Sequence, residues 1–256
     1  MYKIRKAEKL ADKIYLMDVE APRVAKHCEP GQFVIVKMDD KGERIPLTIC
    51  DYDREEGTIT IVFQTVGAST EKMAQLKAGD SFRDFTGPLG CPSELISEDI
   101  ESLKNKKILF VAGGVGAAPV YPQVKWMHAH GIDVDVIVGS KTKDMLILEK
   151  EMEAVAGNYY PCTDDGTYGH AGMVTTKIEA LVAEGNKYDV CVAIGPMIMM
   201  KFVCLLTKKL EIPTIVSIDE AMKRQQMYKT QEGRAMLKLQ EGDTHHGGCG
   251  HCGGDE

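Results

Sequence analysis

The sequence predicts two architectures in tandem, an antiparallel β-barrel over residues 1–100 followed by a parallel-sheet α/β unit over 101–218. Three observations carry this reading. In the first hundred residues, short runs of β-branched and aromatic residues recur between turn signals, as in a small antiparallel barrel. From Lys106 on, continuous apolar runs alternate with helix-forming stretches, the pattern of parallel strands covered on both faces. Past Ile218 both patterns stop, and residues 219–256 form a third segment, a helix-forming stretch with a Cys/His-containing tail.

Within the barrel region, strands are expected at Lys13–Val19, Phe33–Met38, Thr58–Thr65 and Ser81–Phe85. The turns between them are marked by Glu29-Pro30-Gly31, Asp39-Asp40-Lys41-Gly42, Glu55-Glu56-Gly57 and Ala78-Gly79-Asp80. One helix interrupts the series at Ser69–Leu76, after Gly67, with a Ser/Thr N-cap. The polar segment Ser97–Lys106 holds the boundary. Beyond it, strands are expected at Lys107–Ala112, Val134–Gly139, Tyr159–Cys162, Val190–Ile194 and Thr214–Ile218. Between them lie helices running to His130 and over Asp144–Ala156, Val174–Ala183 and Met197–Leu210. Ser217 and Glu220 then have capping-box spacing at the head of Asp219–Gln240, which is helix-forming apart from Gly233.

Composition narrows the function classes. The 256 residues are 44% hydrophobic and 27% charged, with a net charge of −7, which argues against a nucleic-acid partner. No run reaches the roughly 18–20 apolar residues of a membrane span. Met1–Leu16 lacks the apolar core of a secretory signal, so a cytoplasmic protein without a membrane partner is expected. Cys28, Cys50, Cys91, Cys162, Cys191 and Cys204 are scattered singly, which fits reduced thiols better than a disulfide framework.

The motifs follow the strands. Val111-Ala112-Gly113-Gly114-Val115-Gly116-Ala117-Ala118-Pro119 ends a buried run and opens a helix. Small residues there let backbone N–H groups approach a pyrophosphate, whose charge the helix N-terminus favours; tight strand–helix packing also uses glycine. Pro119 suits the first helical turn, where its missing N–H is not needed. Asp164 and Asp165, in Cys162-Thr163-Asp164-Asp165-Gly166, and Gly195-Pro196 follow two further strands, at the ends where ligands of open sheets collect. In the barrel, Arg44-Ile45-Pro46-Leu47-Thr48 lies in a loop between expected strands. Its arginine can neutralise a pyrophosphate, and its threonine can hydrogen-bond a flavin edge. Gly67-Ala68-Ser69-Thr70 offers a second phosphate cradle. Each of these is also an ordinary surface loop. His27, His128, His130 and His170 stand singly and read as structural or solvated.

The order of the pieces is more specific than any one of them. An R-x-P-[LI]-[TS] loop, a G-x-S-T helix start, G-G-V-G-A-A-P, T-D-D-G-x-x-G and G-P-x-x-M-M together resemble the ferredoxin–NADP reductase superfamily over roughly residues 1–217. Within it they look most like the branch of NADH-dependent reduced ferredoxin:NADP oxidoreductase small subunits and dihydroorotate dehydrogenase B electron-transfer subunits. The resemblance implies a flavin-binding barrel and a nucleotide-binding α/β domain. It places Arg44, Pro46, Leu47 and Thr48 around FAD, with Thr48 at the reactive ring edge as the catalytic position. It implies that Gly67, Ser69 and Thr70 hold the FAD phosphates, and that Gly114, Gly116, Ala117 and Pro119 bind the nicotinamide nucleotide. Asp164, Asp165, Gly195 and Pro196 would line that second site. NADH is the implied nucleotide, while Lys141 or Lys143 can meet the 2′-phosphate of NADPH, so the choice stays open.

The implied function is hydride transfer between NAD(H) and FAD, with electrons relayed to a larger flavin/iron–sulfur subunit and through that complex to ferredoxin, as in electron-bifurcating transhydrogenases. The electron-transfer role in dihydroorotate oxidation is a second reading, and a non-catalytic redox or metal-responsive module a third. One departure matters. The relatives carry four cysteines for a [2Fe–2S] cluster after the last strand, whereas here only Cys249 and Cys252 follow it. With His245, His246 and His251 they offer thiolates and imidazoles for a two-Cys, two-His [2Fe–2S] cluster or a zinc ion, or belong to a tail that holds no metal.

Overall fold

Two sheets organise the chain, and the computed structural model describes residues 1–217 of it. The expected capping-box helix and the Cys/His cluster lie outside these residues. The first sheet is built from β1 (Tyr2–Ala11), β2 (Ile14–Glu20), β3 (Phe33–Lys37), β4 (Ile45–Asp53), β5 (Thr58–Gln64), β6 (Ser81–Phe82) and β7 (Asp84–Leu89). Helix α1 (Pro22–His27) follows β2, and α2 (Ala68–Met73) follows β5. The strand order is β6-β1-β2-β5-β4-β3-β7, with antiparallel pairing throughout. The two edge strands, β6 and β7, are separated only by Arg83, so one bent segment pairs both edges and nearly closes the barrel. Its interior holds Ile4, Met17, Val19, Val34, Val36, Ile49, Ile59, Ile61 and Phe63.

Two strands differ from the sequence expectation. β1 is a full strand although it reads Tyr-Lys-Ile-Arg-Lys-Ala-Glu-Lys-Leu-Ala, because only Ile4 and Ala11 of it are buried. The Arg44–Thr48 stretch, expected as a loop, becomes β4 from Ile45 on, with Ile35 opposite Pro46, Val34 opposite Leu47 and Phe33 opposite Thr48. Pro46 is tolerated because it sits at the start of the strand.

After α3 (Ile100–Lys104), whose cap Asp99 accepts from the Ser102 N–H at 3.0 Å, the second sheet begins. It contains β8 (Ile108–Gly113), β9 (Val134–Ser140), β10 (Asn158–Thr163), β11 (His170–Ala171), β12 (Val190–Ile194) and β13 (Thr214–Val216). Helices α4 (Ala117–Ala129), α5 (Glu149–Val155), α6 (Val174–Ala183) and α7 (Met197–Lys209) connect them. The order is β11-β10-β9-β8-β12-β13, all parallel, as the continuous apolar runs predict. β8 is buried at every residue. α5 starts later than expected. Buried Ile147 and Leu148 dock into the core, Leu148 with φ +57°, so the helix cannot run through from Asp144.

The sheets share a core. Ala11, Ile14, Leu16, Cys50 and Val62 on the outer face of the barrel pack with Ala117, Tyr121 and Val124 of α4 and with residues of β8 and β9. Helix α4 therefore rests on β4 while its first turn follows β8.

Candidate functional site

The glycine turn after β8 combines two requirements. Gly114 has φ +54°, and a methyl placed on it would touch nothing within 4 Å, so its open backbone leaves room for a ligand. Gly116 is the opposite case. A methyl there would lie 2.3 Å from the Ile194 carbonyl oxygen and 2.9 Å from Gly195 Cα. Its glycine is required by close packing on the end of β12. Met199, in the first turn of α7, covers the same junction: its Sδ would be 2.4 Å from a methyl on Gly113, and its Cε 2.9 Å from one on Gly195. Gly195 is thus buried in that junction while Pro196 is exposed beside it at the head of α7. Ala117 is buried and Pro119 half-buried in the first turn of α4, where the Pro119 carbonyl accepts from Gln123 Nε2 at 3.0 Å.

The loops after β9 and β10 join this edge. Asp164 N–H donates to Ser140 O at 3.0 Å and Asp165 N–H to Lys141 O at 3.2 Å. Both aspartates are exposed. The Asp165 carboxylate accepts from Thr167 N–H at 3.1 Å and from its hydroxyl at 2.8 Å, and these bonds hold it below the usual carboxylate range. Lys143 Nζ lies 4.4 Å from the centre of the Tyr168 ring, whose hydroxyl donates to Glu149 at 2.9 Å.

The barrel side is assembled by two contacts that sequence reading missed. Ser69 Oγ donates to Glu43 Oε2 at 2.6 Å, and Lys72 pairs with Asp39 at 2.6 Å, so the approach to β4 is tied to both turns of α2. The bond from Lys72, with that from Lys41 N–H next, lowers the Asp39 carboxyl. Arg44 is exposed next to Glu43; Pro46 and Thr48 are half-buried, and Leu47 is buried. Gly67 has extended backbone and nothing within 4 Å of a methyl placed on it. Thr70 is buried, and its hydroxyl donates to Gly67 O at 2.9 Å while accepting from the N–H groups of Val66 and Gly67 at 2.9 and 3.2 Å. Thr70 therefore shapes the turn, leaving Ser69, Gly67 and Arg44 as the groups open to a ligand. The Gly114–Gly116 turn in turn packs against β5, the strand that leads into Gly67.

Two of the single histidines have local partners: His130 Nδ1 lies 2.8 Å from Trp126 O, and His170 Nε2 lies 2.8 Å from Thr176 Oγ1. Among the described residues no cluster of His, Cys, Asp and Glu could hold a metal ion, and no helix is long and apolar enough to cross a membrane.

Residues 110–205 match the oxidoreductase NAD-binding domain family. A Clostridium beijerinckii protein, described as an uncharacterized protein in the adh 3′ region, is 53% identical over the whole of both chains. That alignment runs over 297 positions, longer than the 256-residue chain, so the relative holds residues with no counterpart here. A Thermotoga maritima homologue of the dihydroorotate dehydrogenase B electron-transfer subunit is 39% identical over 86% of this chain and 74% of its own. The Geobacillus kaustophilus electron-transfer subunit itself is 33% identical over 83% and 80%. Among solved structures, a chain of the NADH-dependent reduced ferredoxin–NADP oxidoreductase studied for flavin-based electron bifurcation superposes with a TM-score of 0.76. It is 37% identical, over 86% of this chain and 76% of that one. Phthalate dioxygenase reductase, at 17% identity and a TM-score of 0.64, shares the fold. With its barrel, its parallel sheet and these relatives, the chain belongs to the family of dihydroorotate dehydrogenase B electron-transfer subunits and their homologues, NAD-binding oxidoreductases of the ferredoxin-reductase fold.

Proposed function

We propose that the chain is the FAD- and NAD(H)-binding subunit of a larger oxidoreductase, passing hydride between NAD(H) and FAD and relaying electrons to a partner subunit. One observation carries this reading: the helix that opens from the glycine turn after β8 rests on β4, the strand that carries Pro46, Leu47 and Thr48. Two cofactors held at those places come together without a domain movement. When bound, FAD accepts hydride from reduced nicotinamide and gives up electrons singly. The protein's part is to hold and orient. Arg44 neutralises a pyrophosphate beside the Gly67–Thr70 turn, where the Ser69 hydroxyl would exchange its bond to Glu43 for a phosphate oxygen, and Thr48 hydrogen-bonds the ring edge. Gly67 suits this role because its backbone has open space around it. Gly114, Ala117 and Pro119 present the helix N-terminus to the dinucleotide phosphates, with Gly116 holding that turn in place. Asp164, Asp165, Gly195 and Pro196 border the same sheet edge.

Arg44→Ala tests the flavin side. Losing a charge-assisted contact of about 1.5–3 kcal/mol weakens FAD binding by roughly 10–150-fold. An unchanged FAD affinity would contradict the assignment. NADH is the favoured nucleotide on the strength of the NADH-dependent relative; Lys143 lies over the Tyr168 ring, which leaves Lys141 as the lysine to meet a 2′-phosphate. Equal kcat/KM for NADH and NADPH would count against that choice.

For the complex, we favour a flavin-based bifurcating transhydrogenase with a larger flavin/iron–sulfur subunit and ferredoxin beyond it, on the strength of the 37% identical solved relative. The dihydroorotate dehydrogenase B relatives support the second reading, and the partner that co-purifies separates the two. At the tail we propose that Cys249 and Cys252, with two of His245, His246 and His251, bind a [2Fe–2S] cluster or zinc. Iron with acid-labile sulfide indicates the cluster, zinc alone the structural ion, and neither removes the proposal.

A further inference from the structure

Resting on that reading, we propose that Lys125 and Asp51 are a positioning pair: they lock the nucleotide-binding helix onto the flavin-binding strand and thereby set the rate of hydride transfer. Lys125 Nζ lies 2.7 Å from Asp51 Oδ1 and 2.9 Å from Oδ2, so both carboxylate oxygens are engaged by one ammonium. Asp51 is only 26% exposed. Among the ion pairs of the described residues, this is the one that joins a barrel strand to a helix of the α/β unit.

The strand is built to present that carboxylate. Ile49 faces the barrel interior and Cys50 faces the core shared with α4. Strict alternation would send Asp51 back into the barrel. Instead the β4–β5 register shifts between Ile49 and Asp51, with Ile49 opposite Ile61 and Asp51 opposite Thr60. This bulge turns Asp51 out beside Cys50, onto α4. Asp51 Oδ1 also accepts from Tyr52 N–H at 2.8 Å, which fixes the carboxylate on the strand. On the helix side, Lys125 Nζ stands 5.8 Å from the centre of the Tyr121 ring, and Tyr121 is buried in the shared core.

Position gives the pair its leverage. Along the helix Lys125 lies about 9 Å from Pro119. Along the strand Asp51 lies about 10 Å from Thr48. The apolar contacts between α4 and the barrel are non-directional and permit sliding, whereas two short polar contacts to one carboxylate define a register. A misplacement of about 1 Å at the reacting atoms can slow a transfer by about a hundredfold.

The test uses full-length, FAD-loaded protein mixed anaerobically with NADH in a stopped-flow instrument. Lys125→Gln and Asp51→Asn are each expected to lower the limiting rate of flavin reduction about tenfold or more, with the double variant no slower than either single one. FAD affinity and the half-saturating NADH concentration should stay within about twofold, because neither residue touches a cofactor loop. Lys125→Arg, which keeps the pair, should recover most of the rate. Variants that melt earlier yet reduce flavin at the wild-type rate would overturn the proposal, as would a change confined to cofactor affinity. If the wild-type protein itself binds no FAD, or its FAD is not reduced by NADH, the proposed function fails and this inference with it.

Discussion

Gly116→Ala is the substitution whose cost the structure defines most closely. The added methyl would meet the Ile194 carbonyl oxygen at 2.3 Å, the carbonyl carbon at 2.8 Å and Gly195 Cα at 2.9 Å. All three are backbone atoms at the end of β12, so no rotamer change relieves them. Overpacking by one methyl costs typically 1–3 kcal/mol, and rigid neighbours put this case at the upper end, about 3 kcal/mol. For a chain of this size that lowers Tm by about 6–12 °C. Gly114→Ala is the internal comparison. Its methyl meets nothing within 4 Å, and only the left-handed φ of +54° opposes it. That strain is about 1–2 kcal/mol, or about 2–8 °C. Thermal melts of the two variants, with and without NAD(H), separate packing from ligand binding. A Gly116→Ala protein melting within about 1 °C of wild type, or a Gly114→Ala protein more damaged than it, would refute the packing argument.

Three further outcomes follow from the same geometry. Gly67→Ala has room for its methyl, so stability should fall by less than about 1 kcal/mol while FAD binding weakens; unchanged FAD affinity would remove that loop from the flavin site. Asp135 is buried at the opposite, N-terminal edge of the sheet, accepting from Tyr188 Oη at 2.7 Å and Asn158 Nδ2 at 2.8 Å, with Lys107 at 3.6 Å. Asp135→Ala should therefore cost about 3 kcal/mol and leave NADH half-saturation untouched, which a melt and a steady-state titration would check. Burial pushes the Cys28 thiol up to about 11 and those of Cys162 and Cys191 to about 12, so below those values they remain protonated and unreactive. Alkylation near pH 8 followed by peptide mapping should find the exposed Cys91 modified first among the described cysteines; equal labelling of Cys191 would contradict its burial.

The α/β half was readable because burial on both faces leaves no polar alternation. The runs at β8, β9 and β12 are apolar for that reason, Asp135 of β9 excepted, and the glycine turn follows the first of them. β1 was not readable, since a strand with one solvated face and few buried residues looks like charged loop. β4 was hidden by Pro46, which local rules assign to a loop until a partner strand is known. At the candidate site the sequence pointed to Gly114 and Gly116 alike, but only the structure separates an open turn from a packing contact. Glu43–Ser69 and Asp51–Lys125 had no sequence signal at all. Their partners lie 26 and 74 positions apart, beyond any local periodicity.

In the proposed function, one compact unit holds FAD against the barrel and NAD(H) on the sheet edge, close enough for hydride to pass. Anaerobic titration of FAD-reconstituted protein with NADH, followed at the visible flavin band, tests it most directly. One FAD bound per chain is expected, with a band that NADH bleaches stoichiometrically. Protein that fails to retain FAD, or whose bound FAD stays oxidised in excess NADH, would contradict it.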